Sequence, residues 1–251
     1  MSGHNKWSKI QRKKGLKDNA RGASFTKLIK LITVAVKTGG GPDPAANFKL
    51  SLAVEKARKF SMPSSNIQNA IKKASGKDDD GVQVESITYE GYGPSGVAII
   101  VDAVTDNRNR TAAEVRHMFA KYGGNLGETG CVGWMFEIKG RFFVPCAPAK
   151  QEEMTLSLME YAIEDIKDHD DGLELFTAAE NFYTVKSALE QAKISFNEAE
   201  MTKIPKNLTT VNDAGAASTV LHLIEHLEDD EDVEAVFSNI EIPDDIAESL
   251  E

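Results

Sequence analysis

The sign of the charge reverses once along this 251-residue chain, near residue 77, and a reversal that abrupt argues for separately folded parts. Residues 1–77 hold 17 Lys and Arg against 3 Asp and Glu, a balance of +14. The other 174 residues hold 12 basic and 36 acidic groups, a balance of −24, so the overall charge of −10 conceals two opposite fields. A basic field this dense attracts a phosphate backbone over a Debye length, which points to a nucleic acid as partner. The same numbers would also arise if the two parts neutralised each other by docking.

Within the basic part, residues 1–22 carry Lys6, Lys9, Arg12, Lys13, Lys14, Lys17 and Arg21, opposed only by Asp18. Trp7, Ile10 and Leu16 are too few apolar groups for a core, so this stretch reads as a contact arm, with Trp7 available to stack on a base. From Ser24 the spacing turns helical: Phe25, Leu28, Ile29, Ile32 and Val36 share a face, and Lys27 and Lys30 extend the basic surface beside it. Gly39-Gly40-Gly41 ends that helix. A second is expected from Asp43 as its cap, with Phe48, Leu50 or Leu52, Val54 and Ala57 inward. Ser61 and Pro63 open a third, with Ile67, Ala70, Ile71 and Ala74 inward and Gly76 closing it. Three short helices make a small bundle, and Lys77-Asp78-Asp79-Asp80-Gly81 reads as a hinge.

Beyond the hinge the period falls to two. Strands are expected over 84–92 and 97–104, joined by the turn Gly91-Tyr92-Gly93-Pro94-Ser95-Gly96. Thr111-Ala112-Ala113-Glu114 fits a capping box, so a helix is expected from Thr111, with Val115, Met118, Phe119 and Tyr122 inward. The order then predicted is strand 131–138, helix 150–168, strand 173–177, helix 180–193, strand 194–202, helix 213–228 and strand 233–242. The fold class that follows is α+β multidomain: a three-helix domain, then sandwiches of helix on sheet.

The composition excludes several roles. Cys131 and Cys146 are too few for a disulfide framework and have no zinc-spaced partners, so reduced, buried thiols are expected. The N-terminus lacks the apolar stretch of a secretory signal, and no run approaches a membrane span, which together imply a cytoplasmic protein. The loop 105–111 packs Arg108, Asn109, Arg110 and Thr111 ahead of a helix, where forked donors and free amides would suit a phosphate. Arginines paired with the acidic body are the alternative. The Gly91 to Gly96 stretch matches Gly-x-Gly-x-x-Gly but sits inside a hairpin, which removes the physical basis for binding a dinucleotide. His222 and His226 lie one helical turn apart without further ligands, and the acidic run 228–232 reads as a solvated helix end or a dock for a basic partner, including this chain's own arm. No catalytic constellation emerges. No enzyme activity, cofactor, metal or small-molecule ligand is expected; an enzyme acting on a phosphorylated substrate at Arg108 and Arg110 would lack a base or nucleophile.

Several blocks together resemble the YebC/PmpR family, which includes the mitochondrial translational activator of cytochrome oxidase. They are Gly3-His4-x-Lys6-Trp7, Phe25-Thr26-Lys27, Gly39-Gly40 and Met62-Pro63, then Tyr89-Glu90-Gly91-Tyr92-Gly93-Pro94, the run 105–111, Gly123-Gly124-Asn125-Leu126, Asp232-Val233-x-x-Val236 and Asn239. The blocks span nearly the whole chain; Trp134 and Cys131 stand where Tyr and Ser are more usual. The resemblance implies three domains: residues 1–77, a discontinuous α/β domain of 82–139 and 207–251, and an α/β insert of 140–206. It also implies a non-enzymatic, DNA-binding transcriptional regulator, or a translation factor that binds ribosomal RNA on the ribosome.

Overall fold

The computed structural model describes residues 25–76 and 84–250. In chain order the elements are α1 (Phe25–Thr38), α2 (Phe48–Lys59), α3 (Ser64–Ser75), β1 (Glu85–Tyr92), β2 (Ala98–Thr105), α4 (Arg108–Lys121), β3 (Asn125–Leu126), β4 (Phe136–Pro145), α5 (Pro148–Leu158), β5 (Asp165–His169), β6 (Gly172–Ala178), α6 (Phe182–Gln191), β7 (Glu198–Pro205), β8 (Thr209–Thr210), α7 (Ala214–Asp229), β9 (Val233–Ser238), β10 (Ile240–Glu241) and α8 (Asp244–Ser249). The expected hinge and the arm lie outside the described residues.

The three N-terminal helices bury Leu28, Ile32, Ala35, Leu50, Ala53, Val54, Ala57, Ile67 and Ala70 in one core. The spacing read from the sequence holds for Leu28, Ile32, Val36, Leu50, Val54, Ala57, Ile67 and Ala70, whereas Phe25 and Ile29, expected on the same face, are exposed. The cap of α2 differs. Asp43 organises the preceding turn, accepting from Ala45 N, while Asn47 caps the helix by accepting from Leu50 N at 3.1 Å. The Asn47 amide also donates to the carbonyls of Ala35 (2.8 Å) and Gly41 (2.6 Å), so one buried side chain closes the end of α1 onto the start of α2. A Cβ at Gly39 would stand 2.1 Å from the Asn47 Oδ1, and only glycine leaves room for this knot.

The second layer is an antiparallel sheet of order β3-β1-β2-β9. Val97, just ahead of β2, and Ile99 and Val101 within it pack with Val115 and Phe119 of α4 and Val220, Leu223 and Leu227 of α7. On the opposite face Ile100 and Val104 are buried as well, and α1 lies against this strand. Burial on both faces explains why β2 reads as a continuous apolar run instead of an alternation. Asn239 closes the domain: its Oδ1 accepts from Ala98 N and its amide donates to Thr209 Oγ1, beside the short parallel pair β8/β10.

The described residues fall into two compact units, one within Met1–Trp134 with Leu208–Glu251 and the other within Met135–Asn207. The second unit runs β4-α5-β5-β6-α6-β7, with antiparallel sheet order β5-β6-β4-β7, a split βαβ arrangement. Phe142, Leu173, Leu175, Phe182, Val185 and Leu189 are fully buried in it, with Phe142 stacked on Phe182 at 4.9 Å between centroids.

Two expectations change here. The strand placed at 131–138 begins at Phe136, and it pairs with β6 and β7 instead of completing the first sheet, so the insert starts near 135 and not at 140. The helix placed over 150–168 stops at Leu158, and Asp165–His169 is a strand. Residues 159–164 contain no Gly or Pro to announce the break; cross-strand pairing such as Ile166 opposite Leu175 overrides local helix preference. Cys131 and Cys146 are free thiols of intermediate exposure, less buried than expected.

Candidate nucleic-acid interface

Of the residues expected to grip a nucleic acid, Lys6, Trp7, Lys9, Arg12, Lys13, Lys14, Lys17 and Arg21 lie outside the described residues. Lys27 and Lys30 lie within them, and both already hold oxygen. Lys27 Nζ donates to the Glu228 carbonyl at 2.7 Å, and Lys30 Nζ to Asp232 Oδ1 at 2.5 Å. Burial pushes the Lys27 ammonium below its ordinary value, against the pull of Asp230 and Asp229 nearby.

Asp232 is the centre of this arrangement. It sits in the turn after α7, and its side chain is only 3% exposed. While Oδ1 takes Lys30, Oδ2 accepts from Arg110 (2.8 Å), Thr111 Oγ1 (2.6 Å) and Thr105 Oγ1 (3.1 Å). Burial alone would raise this carboxyl, but hydrogen bonds from Lys30, Thr111 and Arg110 outweigh it and hold the group well below the usual carboxylate range. One oxygen therefore faces the helical bundle and the other faces the α/β domain.

The loop 105–111 is organised by this carboxylate. α4 starts at Arg108, with Asn107 as its cap accepting from Arg110 N at 3.1 Å, so Thr111 is in the first turn and does not form the expected capping box. Thr111 is fully buried, donating toward Asp232 and Thr105. Arg110 bonds Asp106 and Asp232, each at 2.8 Å, and the hydrogen bonds with Asp232 and Asp106 raise its already high pKa further. The pairing of loop arginine with acidic body, weighed as the alternative, is what Arg110 does. Arg108 and Asn109 stay at the surface. Carboxylate oxygens of Glu114, Asp230 and Asp232 lie within 4.8 Å of one another, and Lys30 and Arg110 supply the countercharge there.

A second anchor escaped the sequence reading. Glu90, 7% exposed, accepts from the backbone amides of Gly130 (2.8 Å), Val132 (2.8 Å) and Gly133 (2.6 Å), shaping the loop that carries Trp134. Its position between two strand residues gave no hint of an inward carboxylate. We expect Glu90→Ala to destabilise the chain by about 2–3 kcal/mol in chemical denaturation, because three backbone donors, that of buried Val132 among them, lose their shared carboxylate. The glycine-rich hairpin is explained by packing: a Cβ at Gly91 would meet Phe119 at 2.7 Å and the Asn125 carbonyl at 2.6 Å. His226 rests on Tyr122 at 5.2 Å and bonds its hydroxyl, a contact between α7 and the end of α4.

With this geometry in hand, comparison with known proteins is decisive. Residues 5–77 match the family model described as TACO1/YebC protein N-terminal domain, and residues 84–240 match that of the TACO1/YebC second and third domain. The chain belongs to the TACO1/YebC family. Its relatives include proteins named "Probable transcriptional regulatory protein" from Syntrophomonas wolfei subsp. wolfei, 44% identical over 252 residues, and from Dictyoglomus turgidum, 46% identical over 251 residues; each pair is covered over the full length of both chains. A crystal structure of a conserved hypothetical protein from Aquifex aeolicus is similar at a TM-score of 0.80 and 43% identity, covering 88% of this chain and 90% of that one. The family shares the architecture seen here, a helical N-terminal domain followed by two mixed domains. Among the described residues of this TACO1/YebC member, no helix is long and apolar enough to cross a membrane.

Proposed function

We propose that the chain is a non-enzymatic, cytoplasmic regulator that binds nucleic acid, with DNA as its target and transcription as the process it controls. The observation that carries this is the concentration of 17 basic against 3 acidic residues in the first 77, on an otherwise acidic protein. The names of the full-length relatives support the choice of transcription. Contact runs through Lys6, Lys9, Arg12, Lys13, Lys14, Lys17 and Arg21, with Trp7 stacking, while the acidic body repels the backbone elsewhere. Arg110 weighs against an enzyme for phosphorylated substrates, since one of its terminal nitrogens is already shared between Asp106 and Asp232, which offset its charge.

A second reading, a translation factor bound to ribosomal RNA, is favoured by one feature of the bundle. α1 buries Leu28 and Ile32 on one side and turns Lys27 and Lys30 to the α/β domain on another, so it is not free to enter a major groove as a recognition helix. Shape and phosphate contacts, which structured RNA also offers, then do the reading. Deleting residues 1–22 is expected to weaken binding and to flatten the dependence of log K on log salt by about 6, the share of the seven cations of the arm. Competition at physiological salt between a promoter duplex and intact ribosomes decides the target: promoter affinity equal to that for random DNA, with far tighter ribosome binding, would overturn the DNA reading in favour of the ribosome.

A further inference from the structure

Three lysines of the basic part end on one short acidic strip. Besides Lys27 at the Glu228 carbonyl and Lys30 at Asp232, Lys56 of α2 lies 3.6 Å from Glu234. These contacts grade from enclosed to open: Asp232 and Lys30 are 3% and 15% exposed, Glu234 and Lys56 are 34% and 40%. The strip 228–234 follows the C-terminal end of α7, where carboxylates oppose the helix dipole, so without cations facing it the placement of these acids is unfavourable. A lysine ammonium is a compact point charge that meets carboxylate and phosphate oxygen with equal ease, so exchanging one for the other requires no rebuilding of the helix. An acidic strip occupying the lysines of a polyanion-binding domain has the chemistry of a phosphate mimic.

We infer that residues 228–234 are an internal competitor for nucleic-acid phosphate, masking a second phosphate-binding surface on the helical domain formed by Lys27, Lys30 and Lys56. This rests on the reading that the chain binds nucleic acid. The N-terminal arm makes first contact; phosphates following it displace the strip, beginning at the open Lys56–Glu234 pair and ending at Lys30–Asp232. Binding and release of the bundle from the α/β domain are then one linked equilibrium, and the net affinity is lower than the bundle's own by the strength of the internal contact.

The test uses the full chain and a random 30-bp DNA duplex, with the dissociation constant measured over a range of salt. Glu234→Gln frees Lys56 without touching the buried network, and is expected to tighten binding about 2- to 5-fold, the worth of one exposed ion pair that no longer has to be broken. Asp232→Asn removes the charge that holds Lys30 and is expected to tighten binding as well, circular dichroism confirming the fold. In the unaltered chain, carbodiimide cross-linking should join Lys56 to Glu234, and the yield should fall when saturating duplex is added. Dissociation constants equal to that of the unaltered chain, or a cross-link yield unchanged while duplex is bound, would overturn the inference and leave the nucleic-acid reading standing. If neither the unaltered chain nor Glu234→Gln binds the duplex at low salt, both fall together; binding by the variant alone supports the mask.

Discussion

Replacing Asp232 by alanine is expected to destabilise the first unit by about 3–5 kcal/mol, read as a drop in the urea midpoint at pH 7. The change leaves Lys30 and Arg110 facing each other without the carboxylate that separates them, and removes the acceptor shared by the buried hydroxyls of Thr105 and Thr111. Its pH dependence follows from the direction of the Asp232 shift. The folded value lies below the ordinary one of about 3.9, so the contribution is complete above that value and is lost as pH falls through it toward the folded pKa. The gap between Asp232→Ala and the unaltered chain should therefore be constant from pH 5 to 7 and shrink near pH 3. A constant gap down to pH 3 would mean that Asp232 contributes through packing instead of charge.

Arg141→Ala is expected to have an effect of similar size in the insert, again about 3–5 kcal/mol. Arg141 Nε reaches Glu174 at 2.6 Å, and its terminal nitrogens reach Glu198 at 3.1 Å and Glu200 at 2.8 Å. Glu174 also meets His169 Nε2 at 3.2 Å. Burial pushes the Glu174 carboxyl up, but bonds from His169 and Arg141 prevail and bring it to about 2. The stability it contributes is present above the unfolded value of about 4.3 and disappears as pH falls from there toward 2. Removing Arg141 leaves Glu174 and Glu198 enclosed without their main cation, so Glu174 should titrate several units higher in a carboxyl-carbon NMR titration. A Glu174 that still titrates near 2 in Arg141→Ala would assign its stabilisation to His169.

The sequence carried most of the bundle, because Leu28, Ile32 and Val36 repeat at helical spacing and glycines follow the first and third helices. The strands of the insert were less legible. In Asp165–His169 an edge strand made largely of charged residues has no apolar alternation to reveal it, and only its pairing with β6 makes it a strand. The start of α4 was missed by three residues because two capping chemistries overlap in 105–111, and the tertiary bond from Thr111 to Asp232, 121 positions away, decides between them. The same separation hid the role of Asp232. As one acid among five in a run it looked solvated; its burial depends on Lys30 and Arg110, which arrive from opposite ends of the fold. Charge asymmetry pointed to a nucleic acid and left docking of the two parts as the alternative; geometry was needed to say which lysine meets which carboxylate.

The pairing of β2 with β9 places Val101 opposite Val236, with the entire insert between them in the chain. A ribosome making this protein therefore releases the helical bundle, the β1/β2 hairpin and then the whole of Met135–Asn207 before the strand that completes the first sheet exists. The insert, whose strands are contiguous in sequence, can fold while the sheet around it is still open. Lys27, Lys30 and Lys56 emerge about two hundred residues ahead of their acidic partners, a delay of about 10–40 s at ordinary elongation rates. During that interval the nascent chain presents its cations to whatever polyanion is nearest, and a segment synthesised much later is the one that neutralises them.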